Sequence, residues 1–299
     1  MFKNVLIIGC GLIGSSLLRG ILKKKITKNI YIFEKSKKNQ LITKKVLRKV
    51  KFLKNLNNKI SNMDLIILAT PMSQYKNILN NISKHVTDKN TITDVGSTKN
   101  NVENLIKKNP ILNRNFILSH PIAGSEVSGP EYGNSKLFEN KWCVIIKNRN
   151  KKKIRLILKF WKKLGSRPVL MKTKEHDSIF SITSHLPHLV AYNLVKTALN
   201  FQQKNKNNII KFSAGGLRDF SRTAASNEIM WRDIFFSNDR NIIKSIDMFI
   251  KNLKDFKKKI QNKKNNEILK ILKNSKKVRK QIIFMKQDIA KPNFGRDDS

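Results

Sequence analysis

The first part of the chain alternates short apolar runs with longer stretches in which apolar residues recur every three or four positions. Apolar runs bounded by turn-forming residues predict buried strands, and the periodic stretches between them predict helices. The predicted strands cover residues 5–8, 30–33, 65–69, 91–94, 116–119, 142–146 and 168–171. Short buried strands that alternate with helices predict the α/β class, with a doubly wound and mostly parallel sheet.

The pattern changes after Lys172, because no further strand signal follows it. Helical spacing predicts helices over residues 179–201, interrupted by Pro187, and over residues 226–236, 242–260 and 267–285. We therefore predict an α/β domain over residues 1–172, an all-α domain over residues 173–287 and a frayed tail over residues 288–299.

Length and composition are compatible with two folded domains, since the chain has 299 residues of which 39% are hydrophobic. No run of about 18 apolar residues is present, so we expect no transmembrane helix. The first residues lead directly into a predicted strand, so we expect no signal peptide. Cys10 and Cys143 lie in apolar strand-like contexts. This usage predicts neither a disulfide nor a metal site and favours the reducing cytoplasm.

The net charge of +42, from 62 Lys and Arg against 20 Asp and Glu, is the unusual feature of the composition. Such a charge is typical of proteins that bind nucleic acid or another anionic surface. The lysines, however, are spread over every segment and are not concentrated in one module with interleaved aromatic residues. We interpret the charge as compositional drift, which still helps to attract an anionic substrate. A nucleic-acid-binding protein is the alternative that the charge alone supports.

A glycine-rich motif, GCGLIG, lies between the first predicted strand and the first predicted helix. In this position Gly9 permits a tight turn, Gly11 lets the backbone approach a pyrophosphate, and Gly14 lets helix and strand pack closely. The helix that follows, with its apolar-periodic stretch over residues 17–26, directs its N-terminus at the anion, and Leu12 and Ile13 of the motif are predicted to contact the cofactor. The motif predicts a dinucleotide site in a Rossmann domain.

Glu34 ends the second predicted strand, where a carboxylate accepts hydrogen bonds from the ribose hydroxyls and repels a 2′-phosphate. It therefore predicts NAD as the cofactor. Lys35, Lys37 and Lys38 follow and could receive a phosphate, but lysines are frequent everywhere in this chain. We give Glu34 the greater weight.

Polar residues follow three more predicted strands, at the sheet edge where such folds bind ligands. Thr70, Pro71 and Asp94 are predicted to contact the cofactor. His120 is predicted to end a strand beside the nicotinamide, where it could take a proton from a hydroxyl while hydride leaves.

The helical half contains a second group of polar residues. His185 and His188 lie three positions apart and should share a helix face, with Pro187 bending the helix. A later segment contains Gly215, Gly216, Arg218, Asp219, Arg222, Trp231 and Arg232. Arginines in such a group suit the recognition of a carboxylate. The alternative is that Trp231 is core, Arg232 surface and Asp219 a cap or ion-pair partner.

The blocks GCGLIGSS, ATPMS, DVGSTK, SHPIAGSEVSG, HDSIFSITSHLPH and GGLRDFSRTAASNEIMWRDI together resemble the prephenate dehydrogenase family, from residue 5 to about residue 253. The resemblance implies a Rossmann domain followed by a helical dimerisation domain, NAD as cofactor and a homodimer. It implies oxidative decarboxylation of prephenate to 4-hydroxyphenylpyruvate, or of arogenate to tyrosine. The choice between these substrates, and inhibition by tyrosine, stay open.

The resemblance also implies roles for residues that match the family motifs. His120 would be the base that acts on the ring hydroxyl, and Ser97 would bind that hydroxyl or His120. Arg222 would bind the ring carboxylate, and His188 would lie beside the substrate side chain. The pocket would further contain Ser125, Glu126 and Gly215. An unperturbed histidine has a pKa of ~6.5, so we expect activity to rise with pH through a group that titrates near neutrality.

A dehydrogenase of the 3-hydroxyacid or 6-phosphogluconate type is the alternative within enzymes. Those families share the N-terminal fold and the serine at a strand end, but they use a helical-domain lysine near a GxxxKxxN segment. Lys196 and Lys204 lie on a suitable predicted helix, yet no such segment surrounds them.

Overall fold

The computed structural model describes residues 2–46, 50–205, 208–285 and 287. The predicted tail, residues 288–299, lies outside the described residues. The first half forms a six-stranded parallel sheet in the order β3-β2-β1-β4-β5-β6. Its strands are β1 Asn4–Ile8, β2 Asn29–Phe33, β3 Lys51–Phe52, β4 Leu65–Leu68, β5 Thr91–Asp94 and β6 Phe116–Ile117.

The central strand explains why the sequence pattern predicts this sheet. Val5 and Ile7 of β1 pack into one hydrophobic cluster, whereas Leu6 and Ile8 pack into another on the opposite face. Both faces of the sheet are therefore covered, and a strand buried on both faces has a continuous apolar run. The predicted α/β class is confirmed.

Helices α1 to α6 accompany the strands of this half. They are α1 Leu12–Lys23, α2 Lys37–Val46, α3 Tyr75–Ser83, α4 Asn100–Lys107, α5 Pro110–Asn115 and α6 Lys151–Lys163. Strand β3 was not predicted, because two residues are too short to produce a periodicity.

The predicted strand over residues 116–119 is wrong in its extent. The chain leaves the parallel sheet after β6, and Ser119 starts a second sheet of three strands, in which β7 is antiparallel and β9 parallel to β8. These strands are β7 Ser119–Pro121, β8 Trp142–Ile146 and β9 Arg167–Met171. His120 therefore lies in the middle of a strand, paired with Val144, and not at a strand end as predicted.

The second half is helical, as predicted. Its elements are α7 Thr173–Phe180, a π-helical turn Ser181–His185, α8 Leu186–Asn205, α9 Gly215–Ala224, α10 Glu228–Ser237, α11 Asp239–Gln261 and α12 Asn265–Phe284. The π-helical turn ends at His185, two residues before Pro187. Because Pro187 has no N–H to donate to the preceding turn, a widened turn at this position replaces the regular helical hydrogen bonds. Within the described residues, no helix is long and apolar enough to cross a membrane.

Candidate active site

The glycine-rich turn between β1 and α1 has the geometry of a dinucleotide site. Gly9 has φ +94°, and a Cβ there would lie 2.7 Å from the carbonyl oxygen of Ala69. A Cβ on Gly14 would lie 2.1 Å from the carbonyl oxygen of Gly9. A Cβ on Gly11 would meet no atom within 4 Å. Two glycines are thus required by internal packing, whereas Gly11 borders open space from which a ligand can approach the backbone.

The acidic residue at the end of β2 lies against this turn. The Glu34 carboxylate accepts a hydrogen bond of 2.7 Å from the backbone N–H of Cys10 and one of 2.8 Å from that of Ser36. Because a carboxylate has about four lone-pair sites, Glu34 keeps the capacity to accept hydrogen bonds from a ligand.

Thr70 follows β4 beside the same turn, with its Cγ2 2.7 Å from where a Cβ of Gly9 would stand. Its hydroxyl is buried and has no hydrogen-bond partner among the residues that the structure describes. A buried hydroxyl without a partner is costly, so this atom fits a site completed by a polar ligand. The neighbouring Pro71 is exposed.

The sequence predicts that Asp94 contacts the cofactor, but the structure encloses the Asp94 carboxylate within the protein. It forms an ion pair of 2.5 Å with Lys99, and both side chains are fully buried. It also accepts hydrogen bonds of 3.0 Å from the backbone N–H groups of Gly96 and Ser119. The carboxylate therefore fixes the loop after β5 against the start of β7 and faces inward.

His120 is almost fully buried at the boundary between the two halves of the chain. Its Nδ1 lies 2.9 Å from Nε2 of His176, whose Nδ1 in turn lies 2.7 Å from Oδ1 of Asp177. Burial holds the pKa of His120 well below its usual value, and nearby His176 and Lys99 lower it further. At neutral pH the ring is neutral and can accept a proton.

His176 and Asp177 were not predicted as site residues. The only sequence signal for them is their place at the start of the HDSIFSITSHLPH block. They lie on α7, and the His176 ring is 56 positions from His120. Nothing in the local pattern of either segment indicates that the two rings meet.

Ser97 occupies the loop between β5 and α4. Its side chain is half-buried, and its hydroxyl makes no hydrogen bond within the described part of the chain. The hydroxyl is therefore available to a ligand.

Residues from both halves meet at Arg222. Its Nη1 lies 3.8 Å from Oε2 of Glu126, which also accepts a hydrogen bond of 3.0 Å from the Ser125 hydroxyl. Nε of Arg222 is buried without a partner among the described residues. Gly215 begins the helix that carries Arg222. The loop after β7 and helix α9 thus bring a carboxylate and a guanidinium together.

The other predicted histidines lie against Trp231. His188 stacks on the indole with ring centroids 3.8 Å apart, and its Nδ1 is 2.9 Å from the carbonyl oxygen of Ser184. His185 meets the same indole edge-on at 6.2 Å, and burial lowers its pKa to about 4. The two histidines share a face, as predicted. Trp231 is buried, whereas Arg232 is exposed and pairs with Asp233.

Comparison with known proteins assigns both halves of the chain to one family. The model of the prephenate dehydrogenase nucleotide-binding domain matches residues 19–170, and that of the prephenate dehydrogenase dimerization domain matches residues 172–274. A prephenate dehydrogenase of Lactococcus lactis subsp. cremoris is 31% identical, over 98% of this chain and 80% of that protein. A cyclohexadienyl dehydrogenase of Zymomonas mobilis is 29% identical, over 93% of this chain and 96% of that protein.

A solved structure agrees with these sequence matches. The crystal structure of prephenate dehydrogenase from A. aeolicus, in complex with hydroxyphenyl propionate and NAD+, is 31% identical with a TM-score of 0.86. The similarity covers 94% of this chain and 99% of that one. This chain belongs to the prephenate dehydrogenase family.

Proposed function

We propose that the chain catalyses the NAD-dependent oxidative decarboxylation of prephenate to 4-hydroxyphenylpyruvate in tyrosine biosynthesis, with arogenate as the alternative substrate. The observation that carries the proposal is His120, a buried base with a lowered pKa held between the two halves of the chain. The backbone match to the A. aeolicus enzyme, crystallised with NAD+ and a hydroxyphenyl ligand, supports the same ligand classes here.

The cofactor site consists of the glycine-rich turn, with Leu12 and Ile13 beginning the helix that faces the pyrophosphate. Glu34 accepts from the ribose hydroxyls, and the unpartnered Thr70 hydroxyl and Pro71 line the crevice. NAD, when bound there, supplies the hydride acceptor. Asp94 supports this site through Lys99 and the backbone of the β5–α4 loop and makes no direct side-chain contact.

The catalytic residues have two tasks, which are to accept a proton and to bind the substrate carboxylate. His120 accepts the proton of the ring hydroxyl as the C–H bond at the same carbon gives up hydride, and Ser97 orients that hydroxyl. Arg222 holds the ring carboxylate, and loss of that group as CO2 leaves an aromatic ring. His188 and Trp231 bind the substrate side chain, while Ser125, Glu126 and Gly215 shape the pocket beside Arg222.

The proposed assembly is a homodimer built on residues 173–287, which overlap the dimerization-domain match over residues 172–274. Helices α8 and α9 border an open apolar cavity of about 540 Å³, lined by Leu194, Thr197, Ala198, Phe201, Ile209, Gly216, Leu217 and Phe220. A partner subunit would cover this surface. We also place the enzyme in the cytoplasm, where its free buried thiols Cys10 and Cys143 stay reduced.

A direct test follows NADH absorbance with purified chain, prephenate and NAD, with arogenate and NADP in parallel. We expect turnover with NAD and at least one of the two cyclohexadienyl substrates. Absence of NADH formation with either substrate, in a folded dimer that binds NAD, would contradict the proposal. A tenfold or greater preference for NADP would contradict the role given to Glu34.

A further inference from the structure

We propose that His176 and Asp177 are positioning residues that hold the proton of neutral His120 on Nδ1, so that Nε2 is the atom that takes the substrate proton. The proposal rests on the proposed function of His120 as the base. It adds which nitrogen of His120 accepts the proton and how residues of the helical half fix the tautomer of that ring.

The chain of hydrogen bonds determines where each proton lies. Asp177 Oδ1 accepts from the backbone N–H of Lys99 at 2.8 Å, and Oδ2 accepts from that of Asn100 at 2.8 Å. A carboxylate held by two amides acts as an acceptor only. Nδ1 of His176, 2.7 Å from Oδ1, must therefore carry a hydrogen.

The next link follows from the charge of His176. Its ring is fully buried, and burial is the main cause that lowers its pKa, with Asp177 acting in the opposite direction. A neutral imidazole has one N–H donor and one acceptor nitrogen. Because Nδ1 of His176 carries the hydrogen, Nε2 is the acceptor, and His120 must donate to it from Nδ1 across 2.9 Å.

Neutral His120 then has its free lone pair on Nε2. A histidine in the other tautomer would present an N–H to the substrate hydroxyl and could not accept its proton. In the chemical step the hydroxyl O–H bond breaks and an Nε2–H bond forms. The resulting imidazolium keeps its Nδ1–H bond to His176. When the ring loses CO2, the electron pair of the broken C–C bond makes the ring aromatic, and the ring oxygen takes back the proton from Nε2, which restores neutral His120.

Among the described residues, the hydrogen-bond partner of His120 Nδ1 is His176 alone. Phe180 packs against its ring at 4.9 Å, so that side is apolar. The charged or titratable groups that act on it are His176 and His185 from the helical half and Lys99 from the loop before α4. Lys99 is already paired with Asp94.

The same contacts connect the tautomer to the docking of the two halves. His176 and Asp177 belong to α7, whereas Lys99 and Asn100 stand at the start of α4 in the nucleotide-binding half. Asp177 therefore joins α7 to the first turn of α4 and aligns His176 with His120 through one carboxylate. His120 is therefore held in the tautomer with its proton on Nδ1 only when the helical half packs against the nucleotide-binding half.

The test combines histidine nitrogen NMR on the intact protein with steady-state kinetics. Long-range ¹H–¹⁵N spectra at neutral pH should show His120 protonated on Nδ1 and free on Nε2, with the resonance assigned from His120→Asn. A ring protonated on Nε2 in the wild-type enzyme would overturn the proposal directly.

Two variants of His176 separate a hydrogen-bonding role from a packing role. His176→Phe fills the same space without an acceptor, so kcat should fall by about 10²-fold or more, with the KM of NAD nearly unchanged. His176→Gln keeps an oxygen that can accept from Nδ1 of His120, and it should recover at least about tenfold of that loss. Equal kcat for the two variants would show that only packing matters and would overturn the proposal.

A matched control and a second variant keep the result interpretable. His85, a half-buried histidine away from the site, is replaced in His85→Gln, which should leave kcat unchanged. In the Asp177→Asn variant, the His120 ring should populate both tautomers in the NMR spectra, even if the thermal stability of the variant is lower than that of wild type. If wild-type protein turns over neither prephenate nor arogenate but His120 still carries its proton on Nδ1, the proposed function fails and the tautomer assignment stands.

Discussion

At the scale of single residues, burial changes what the sequence predicts for the base. An exposed histidine would titrate near ~6.5, but burial beside His176 and Lys99 lowers the pKa of His120. A base works in its neutral form, so activity should already be near its plateau at pH 6.5 and fall only as pH drops through the lower pKa. This revises the expectation from the sequence that activity rises with pH through a group that titrates near neutrality.

His120→Asn removes the base and should lower kcat by about 10²–10⁴-fold with little change in the KM of the substrate. The low-pH limb of the wild-type profile should disappear in the variant. The measurement is a pH series of initial rates for both proteins, with His85→Asn as control. A variant that keeps both near-normal turnover and the acid limb would transfer the role of base to His188 or His185.

Arg222 binds charge before the chemical step, so its loss should act mainly on KM. Charge-assisted contacts contribute about 1.5–3 kcal/mol, which corresponds to about one to two decades in affinity. Arg222→Ala should raise the KM of the substrate by that factor, and Arg222→Lys should restore little because ammonium lacks the planar fork. Some loss of kcat is also expected, since the bound carboxylate is the leaving group.

The control for Arg222 is Arg155→Ala, which removes an exposed arginine of α6 from the nucleotide-binding half. It should leave both kinetic constants unchanged and so account for any general effect of lost positive charge. A rise in the KM of NAD instead of the substrate KM would place Arg222 in the cofactor site.

At the scale of elements, the β1–α1 turn contains one glycine that the fold requires, Gly14, and one that cofactor binding requires, Gly11. A Cβ at position 14 would overlap the carbonyl oxygen of Gly9, so Gly14→Ala should destabilise the fold by about 1–3 kcal/mol. Gly11 has φ −76° and open space around it, so the midpoint temperature of thermal unfolding of Gly11→Ala should lie within about two degrees of the wild-type value. It should nevertheless weaken NAD binding, because its methyl group stands where the pyrophosphate approaches.

Thermal unfolding without ligand and calorimetric titration with NAD measure the two effects separately. The glycine assignments require Gly14→Ala to lower the unfolding midpoint far more than Gly11→Ala. If Gly11→Ala bound NAD as well as wild type, the pyrophosphate would have to lie elsewhere.

At the scale of the whole molecule, the exposed apolar surface of the helical half predicts self-association. Phe201 is 57% exposed and Phe220 40% exposed beside the cavity between α8 and α9. Phe201→Glu should therefore convert the dimer to monomer at micromolar concentration while leaving far-ultraviolet circular dichroism intact. Light scattering measures the mass directly.

Leu41→Glu is the matched control, because Leu41 is 60% exposed but lies on α2 in the nucleotide-binding half. It should remain dimeric. A wild-type protein that is monomeric at micromolar concentration would refute the proposed assembly, and dissociation by both variants would mean that added charge alone disrupts it.

The sequence by itself determined what depends on local pattern. The apolar run of β1 followed by GCGLIG was sufficient to predict a dinucleotide-binding turn, because conformation and packing there are set by neighbours in the chain. Helical spacing after Lys172 was sufficient to predict an all-α half, and the ordered motif blocks were sufficient to predict the family.

Only the tertiary structure decided which distant side chains meet. His120 and His176 are 56 positions apart, and their contact depends on Asp177 joining α7 to the start of α4. Asp94 follows a strand as cofactor ligands do, but the buried ammonium of Lys99 turns its carboxylate inward. The burial that lowers the pKa of His120 likewise arises only when the two halves pack together, because desolvation depends on every surrounding group and not on neighbours in the chain.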